Sequence, residues 1–218
     1  MTFRKMILGA FLSLPLLLAS CQKDPDTDLL SEDYMVYTAH DKGFEFASAS
    51  TFFLPDSILL IGSADEKAKY WNDDDAHTIV ARVAQNLTDR GYVRSAEKEK
   101  AQLGLQLSYV KRATYFLGWD RPHWWWYYPY YWSPEYWGAW QGWHYPYEVY
   151  YGYTAGSLLV EMLNLEADAT ISPQLAVVWN TFIGGLLTSS NKVNMERLLN
   201  AVNQSFEQSP YLDKQMPM

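Results

Sequence analysis

The side chains most able to do chemistry are four histidines (His40, His77, His123 and His144), three consecutive aspartates (Asp73, Asp74 and Asp75) and one cysteine, Cys21. His123 and His144 flank an aromatic centre, with Asp120, Glu135 and Glu148 nearby, but this spacing matches no zinc or copper ligand set. Three adjacent carboxylates invite a metal reading, yet neighbouring side chains on a helix diverge rather than converge on one ion. Placed just before an apolar helical face, they read instead as a cap that satisfies free N–H groups and the helix dipole. No Ser-His-Asp order, glycine-rich phosphate loop or paired-cysteine motif is present. Two carboxylates at glycosidase distance can arise in any acidic fold, which keeps a glycan-processing or other hydrolytic envelope enzyme as the alternative function. No catalytic residue, metal or cofactor is assigned.

The dominant chemistry is aromatic. About half of residues 115–153 are aromatic, and eight of the ten tryptophans fall there. The centre reads Trp124-Trp125-Trp126-Tyr127-Tyr128-Pro129-Tyr130-Tyr131-Trp132. Such rings bury a large area each, so the stretch can pack over an open sheet face as a lid, since an apolar patch of this scale left exposed invites aggregation. The other reading is a platform in which Trp124, Trp125, Trp126, Trp132, Trp137, Trp140 and Trp143 stack on a glycan, peptidoglycan or an envelope protein. Pro122, Pro129, Pro134 and Pro146, with Gly118, Gly138, Gly142 and Gly152, break regular periodicity. The expectation is an irregular ribbon, the kind of segment that carries binding surfaces.

The start of the chain says where this object works. Arg4 and Lys5 precede an apolar run over residues 6–19, interrupted only by Ser13 and Pro15, and too short for a transmembrane helix. Leu18-Ala19-Ser20-Cys21 at its end resembles a bacterial lipobox. Residues 1–20 then form a lipoprotein signal peptide, and Cys21 becomes the acylated first residue, carrying chains such as palmitate. A lone exported thiol cannot close an intramolecular disulfide, but it can carry lipid. Residues 21–33, beginning Cys21-Gln22-Lys23-Asp24-Pro25-Asp26, read as an acidic tether. The absence of Asp after Cys21 and the glutamine-lysine-acidic run resemble outer-membrane sorting signals, implying an outer-membrane anchor facing the periplasm or the surface.

With Arg4 and Lys5 removed, 15 basic residues face 25 acidic ones, a net charge near −10. Such a chain gains nothing from counterion release on a phosphate backbone, which excludes nucleic acid as a natural partner. Membrane attachment must come from the acyl anchor rather than a basic patch.

Residues 34–212 hold the elements that position the aromatic stretch, in one domain with a tail at 213–218. Two strands are expected between residues 33 and 54, joined near Asp41-Lys42-Gly43. Ala76, Ile79, Val80, Val83, Ala84 and Leu87 share one helical face, closed by Gly91. Leu103, Leu105, Leu107 and Tyr109 alternate with Gln102, Gly104, Gln106 and Ser108, the pattern of a half-buried strand. Residues 157–165 and 175–182 are expected to form a hairpin, and Met195, Leu198, Leu199, Val202 and Phe206 share a second helical face that ends before Pro210. The fold class is therefore α+β, an antiparallel sheet with two helices on one face in the order ββ-α-β-insert-ββ-α.

Several of these segments, in order, resemble the bacterial lipoprotein family called domain of unknown function 4136. They are Phe44-Glu45-Phe46-Ala47-Ser48-Ala49-Ser50-Thr51-Phe52, Leu87-Thr88-Asp89-Arg90-Gly91-Tyr92, Ala101-Gln102-Leu103-Gly104-Leu105, Gly156-Ser157-Leu158-Leu159-Val160-Glu161-Met162, Val178-Trp179 and residues 206–210. The resemblance spans most of residues 34–212. It departs where the family usually places Arg and Gly after the tryptophan and this chain has Asn180 and Thr181, and in the length and richness of its aromatic insertion. It implies a fold and an envelope address, with no activity or catalytic residue to carry over. The function expected from the sequence is thus a lipid-anchored envelope protein that acts as a non-catalytic binding, interaction or structural module.

Overall fold

The computed structural model describes residues 34–61, 69–110, 142–147, 149, 156–167, 174–187 and 192–214, all within one compact unit, Glu32–Met218. The signal peptide, Cys21 and the centre of the aromatic stretch lie outside the described residues. In chain order the elements are β1 (Met35–His40), β2 (Thr51–Phe53), β3 (Ile58–Ile61), β4 (Lys69–Trp71), α1 (Asp74–Asp89), β5 (Val93–Arg94), β6 (Leu103–Val110), β7 (Trp143–His144), β8 (Ser157–Asn164), β9 (Leu175–Gly184) and α2 (Met195–Glu207).

Strands β1, β9, β8 and β6 lie side by side and are antiparallel throughout, giving the α+β sheet expected. Beyond β6 the pairing turns parallel: β2 joins it at Leu103 and Gly104, and β3 joins the same edge at Ser108, Tyr109 and Val110. Pro55 sits between these two short strands, where a residue without an N–H cannot continue a ladder. The sheet is therefore mixed at this edge. The turn at Asp41-Lys42-Gly43 forms, with Gly43 N–H donating to Asp41 Oδ1 at 2.8 Å, but it does not make a hairpin. β1 pairs with β9 while β2 pairs with β6 and β5. Part of the segment expected as the second strand, Phe46–Ser48, is a single 3-10 turn. The brief apolar run that forms β3 and the strand β4 were not foreseen, being too short for a periodicity to register.

Both helices follow their patterns. Asp73 caps α1, its Oδ1 accepting from Ala76 N–H at 3.0 Å, while Asp74 and Asp75 occupy the first turn. At the other end Gly91 takes φ +92°, and two bonds close the helix, Gly91 N–H to Thr88 O and Tyr92 N–H to Leu87 O. A left-handed residue following the last turn is what glycine supplies without a Cβ penalty. Asn194 caps α2 by accepting from Arg197 N–H at 3.1 Å. Ile79, Val83 and Leu87 from α1 and Leu198, Val202 and Phe206 from α2 join Leu103, Leu105, Leu107, Leu158, Val160 and Met162 in one apolar core. Each such fully buried side chain contributes roughly 1.5–3 kcal/mol. Trp179 lies in the same core, its indole N–H donating to Ser209 Oγ at 2.9 Å.

Candidate functional site

The opposite face of the sheet is not open. All eight residues of β6 are buried, Gln106 and Ser108 included, which corrects the half-buried strand expected there. Alternation did separate two faces, but both are covered. On this second face Leu59, Ile61, Val110, Leu159, Leu163, Val177 and Phe182 form a smaller core beneath Trp143.

Through its middle runs a polar row set by strand register. Gln106 of β6 lies opposite Glu161 of β8, and Glu161 lies opposite Asn180 of β9. Glu161 and Asn180 are fully enclosed. A charge or amide in that position is costly unless hydrogen-bonded, and the partners come from the C-terminal limb of the aromatic stretch. Gly142 O accepts from Leu175 N–H at 3.0 Å, and β7 runs parallel beside β9 from Trp143 opposite Leu175. From this strap Trp143 Nε1 donates to Glu161 Oε1 at 3.0 Å, and the Tyr145 hydroxyl donates to the same oxygen. The Tyr147 hydroxyl donates to Asn180 Oδ1 at 2.9 Å, and the Tyr145 and Tyr147 rings meet edge to face at 5.7 Å. Burial, and next the nearby Glu161, push the Tyr147 phenol well above its ordinary range. Both effects keep the hydroxyl protonated and therefore a donor. Among the described residues Asn180 Nδ2 is buried and finds no acceptor, so one donor of the row is left unsatisfied. Asn180 is also where the family resemblance places Arg; here the residue opposite Glu161 is a neutral amide.

Trp143, grouped above with the platform rings, is thus a core residue whose ring and N–H are both committed. A ring wholly enclosed in the monomer cannot stack on a partner, so it leaves that group. Trp124, Trp125, Trp126, Trp132, Trp137 and Trp140 lie outside the described residues, as does His123. The other histidines are dispersed. His40 stacks on Tyr211 at 3.7 Å, His77 is exposed on α1, and His144 belongs to β7. Among the described residues no three His, Cys, Asp or Glu side chains come together as a metal cluster. The residue missed from sequence was Glu161. Its signal was present, because a single carboxylate in the apolar run of residues 158–163 marks a buried charge with dedicated partners.

A second feature lies at the opposite end of β6. A cleft of about 430 Å³ is lined by Trp71 and Tyr109, with Tyr70, Asn72 and Asp73 at its rim. Trp71 and Tyr109 meet edge to face at 5.3 Å, and Trp71 Nε1 donates to Asp73 Oδ1 at 2.6 Å.

Residues 36–211 match the family model described as Domain of unknown function (DUF4136). A crystal structure of a DUF4136 family protein from Bacteroides thetaiotaomicron is similar, at 45% identity and a TM-score of 0.74, covering 84% of this chain and 99% of that one. Among curated proteins none matches.

Proposed function

Because the chain belongs to the DUF4136 family, whose name assigns no activity, we propose from its own residues that it is a lipid-anchored envelope module that binds and does not catalyse. The observation that carries the anchor is Leu18-Ala19-Ser20-Cys21 behind a short apolar run, the arrangement in which a lone exported cysteine accepts acyl chains. The observation that favours binding over catalysis is the state of Glu161. A catalytic carboxylate must reach substrate, and this one is fully enclosed, with one oxygen holding two aromatic donors. In this reading Glu161 serves the fold: it clamps one end of the aromatic stretch to the sheet. The tryptophans that precede Gly142 in sequence then meet a glycan, peptidoglycan or an envelope protein at the outer membrane.

Two measurements test this. Feeding cells an alkyne-tagged fatty acid should label the wild-type chain and not Cys21→Ser, which should move to the aqueous fraction. A labelled Cys21→Ser, or an unlabelled wild type, removes the anchor. Acrylamide quenching of the protein released from membranes should reach several tryptophans. If nearly all are shielded in the monomer, the stretch is a packed lid and the binding role of its rings falls.

A further inference from the structure

We propose that the cleft between β4 and the start of α1 is a binding subsite for a neutral saccharide. The inference rests on the binding-module reading and adds a contact made by residues outside the aromatic stretch in sequence. The cleft volume of about 430 Å³ falls in the range of small-ligand sites. Its apolar surface is held in place rather than loosely exposed: the Trp71 indole is fixed on one side by Tyr109 and at its N–H by Asp73. Asp73 in turn is fixed because the same oxygen caps α1. A ring locked by two independent contacts loses little freedom when a ligand stacks on it. Tyr70, 44% exposed, continues the aromatic surface at the rim.

Polar chemistry lies beside the rings. Among the described residues Asn72 is exposed with its amide uncommitted, and the bonds of Asp73 engage Oδ1 and leave Oδ2 unengaged. A flat ring flanked by a planar amide, which both donates and accepts, and by a carboxylate oxygen, which accepts, matches a pyranose: one apolar C–H face and a rim of vicinal hydroxyls. Charge favours a neutral sugar over an acidic one: among the described residues that line the cleft the one charged side chain is Asp73, which opposes an anion.

The test is saturation-transfer NMR on the full chain in detergent. The probes are an N-acetylglucosamine oligomer, a neutral glucan oligomer, a sulfated disaccharide and choline. At least one neutral oligomer should bind in preference to the two charged probes. Asn72→Ala should weaken it roughly tenfold, the loss of a hydrogen bond or two, with an unchanged unfolding midpoint because the residue is exposed. Trp71→Ala should abolish it. Equal binding in both variants, preference for a charged probe, or no binding by any probe overturns the cleft. Saccharide binding that survives both variants but is lost in Trp132→Ala overturns the cleft and leaves the module reading standing. The module reading itself falls on the tryptophan-shielding result above, not on this one.

Discussion

The two faces of the sheet are closed by different physics. Two amphipathic helices close one face, and its contacts are mostly apolar, non-directional and redundant. Among the described residues a strap of six covers the other, held by the short pairing of β7 with β9 and by three aromatic hydroxyl or indole donors meeting Glu161 and Asn180. The difference is one of tolerance. Carbon-on-carbon packing loses stability in proportion to what is removed, whereas a buried polar latch fails when a single acceptor is lost, because the donors remain and have nowhere to go.

The largest expected effect is therefore on the helix face and is global. Leu87→Ala and Leu198→Ala each remove a fully buried side chain, costing roughly 2–5 kcal/mol. Urea unfolding followed by circular dichroism should show the midpoint fall with the cooperativity kept. A cost below about 1 kcal/mol at either position would mean the helices are not what holds the sheet.

The strap face should break locally. Glu161→Leu keeps the bulk but leaves the Trp143 N–H and Tyr145 O–H without their acceptor, each orphaned donor costing roughly 1–3 kcal/mol. Hydrogen exchange should rise across residues 142–147 before it rises in α1 or α2, and Trp143 should become accessible to quenching. If exchange rises uniformly instead, the strap and the helices form one cooperative unit and the contrast between the faces disappears.

That contrast also explains what could be read from the chain. Ile79, Val83 and Leu87, or Leu198, Val202 and Phe206, announce a helix by spacing alone, and the aspartates from Asp73, the glycine at 91 and the proline at 210 mark ends, whereas the cap at Asn194 emerged only in the structure. The β8 and β9 hairpin was equally plain, because both segments are apolar runs bounded by turn residues. What could not be read was pairing between distant segments: that β2 and β3 share one edge of β6, or that Trp143 would sit beside Leu175. Gln106 and Ser108 looked solvent-facing because a strand pattern cannot reveal a cover supplied from another part of the chain. Gly156 shows the same limit. A Cβ there would stand 2.2 Å from Leu187, and its φ is +79°, yet nothing local distinguished this glycine from those in the aromatic stretch.

The smallest effect separates the faces by pH. Tyr92 packs on the helix face with its hydroxyl donating to Phe46 O at 3.3 Å, and burial, aided by the charge of Asp213, pushes its phenol up to about 12. An unfolded tyrosine releases its proton near pH 10, so between about 10 and 12 the folded state binds more protons than the unfolded state. Stability is then fully present below about pH 10 and is lost as pH rises through the folded value. Tyr92→Phe should cost only about 0.5–1.5 kcal/mol near neutrality, the worth of one neutral hydrogen bond, and should flatten part of the alkaline decline. Tyr147 on the strap face is raised further, by burial and then by Glu161, so Tyr147→Phe should flatten a decline that continues to higher pH. Denaturant titrations of both variants at about pH 8 and about pH 11 decide the matter. An alkaline slope unchanged by either substitution would show that the two phenols are not held protonated by burial, and with them would go the account of Tyr147 as a fixed donor to Asn180.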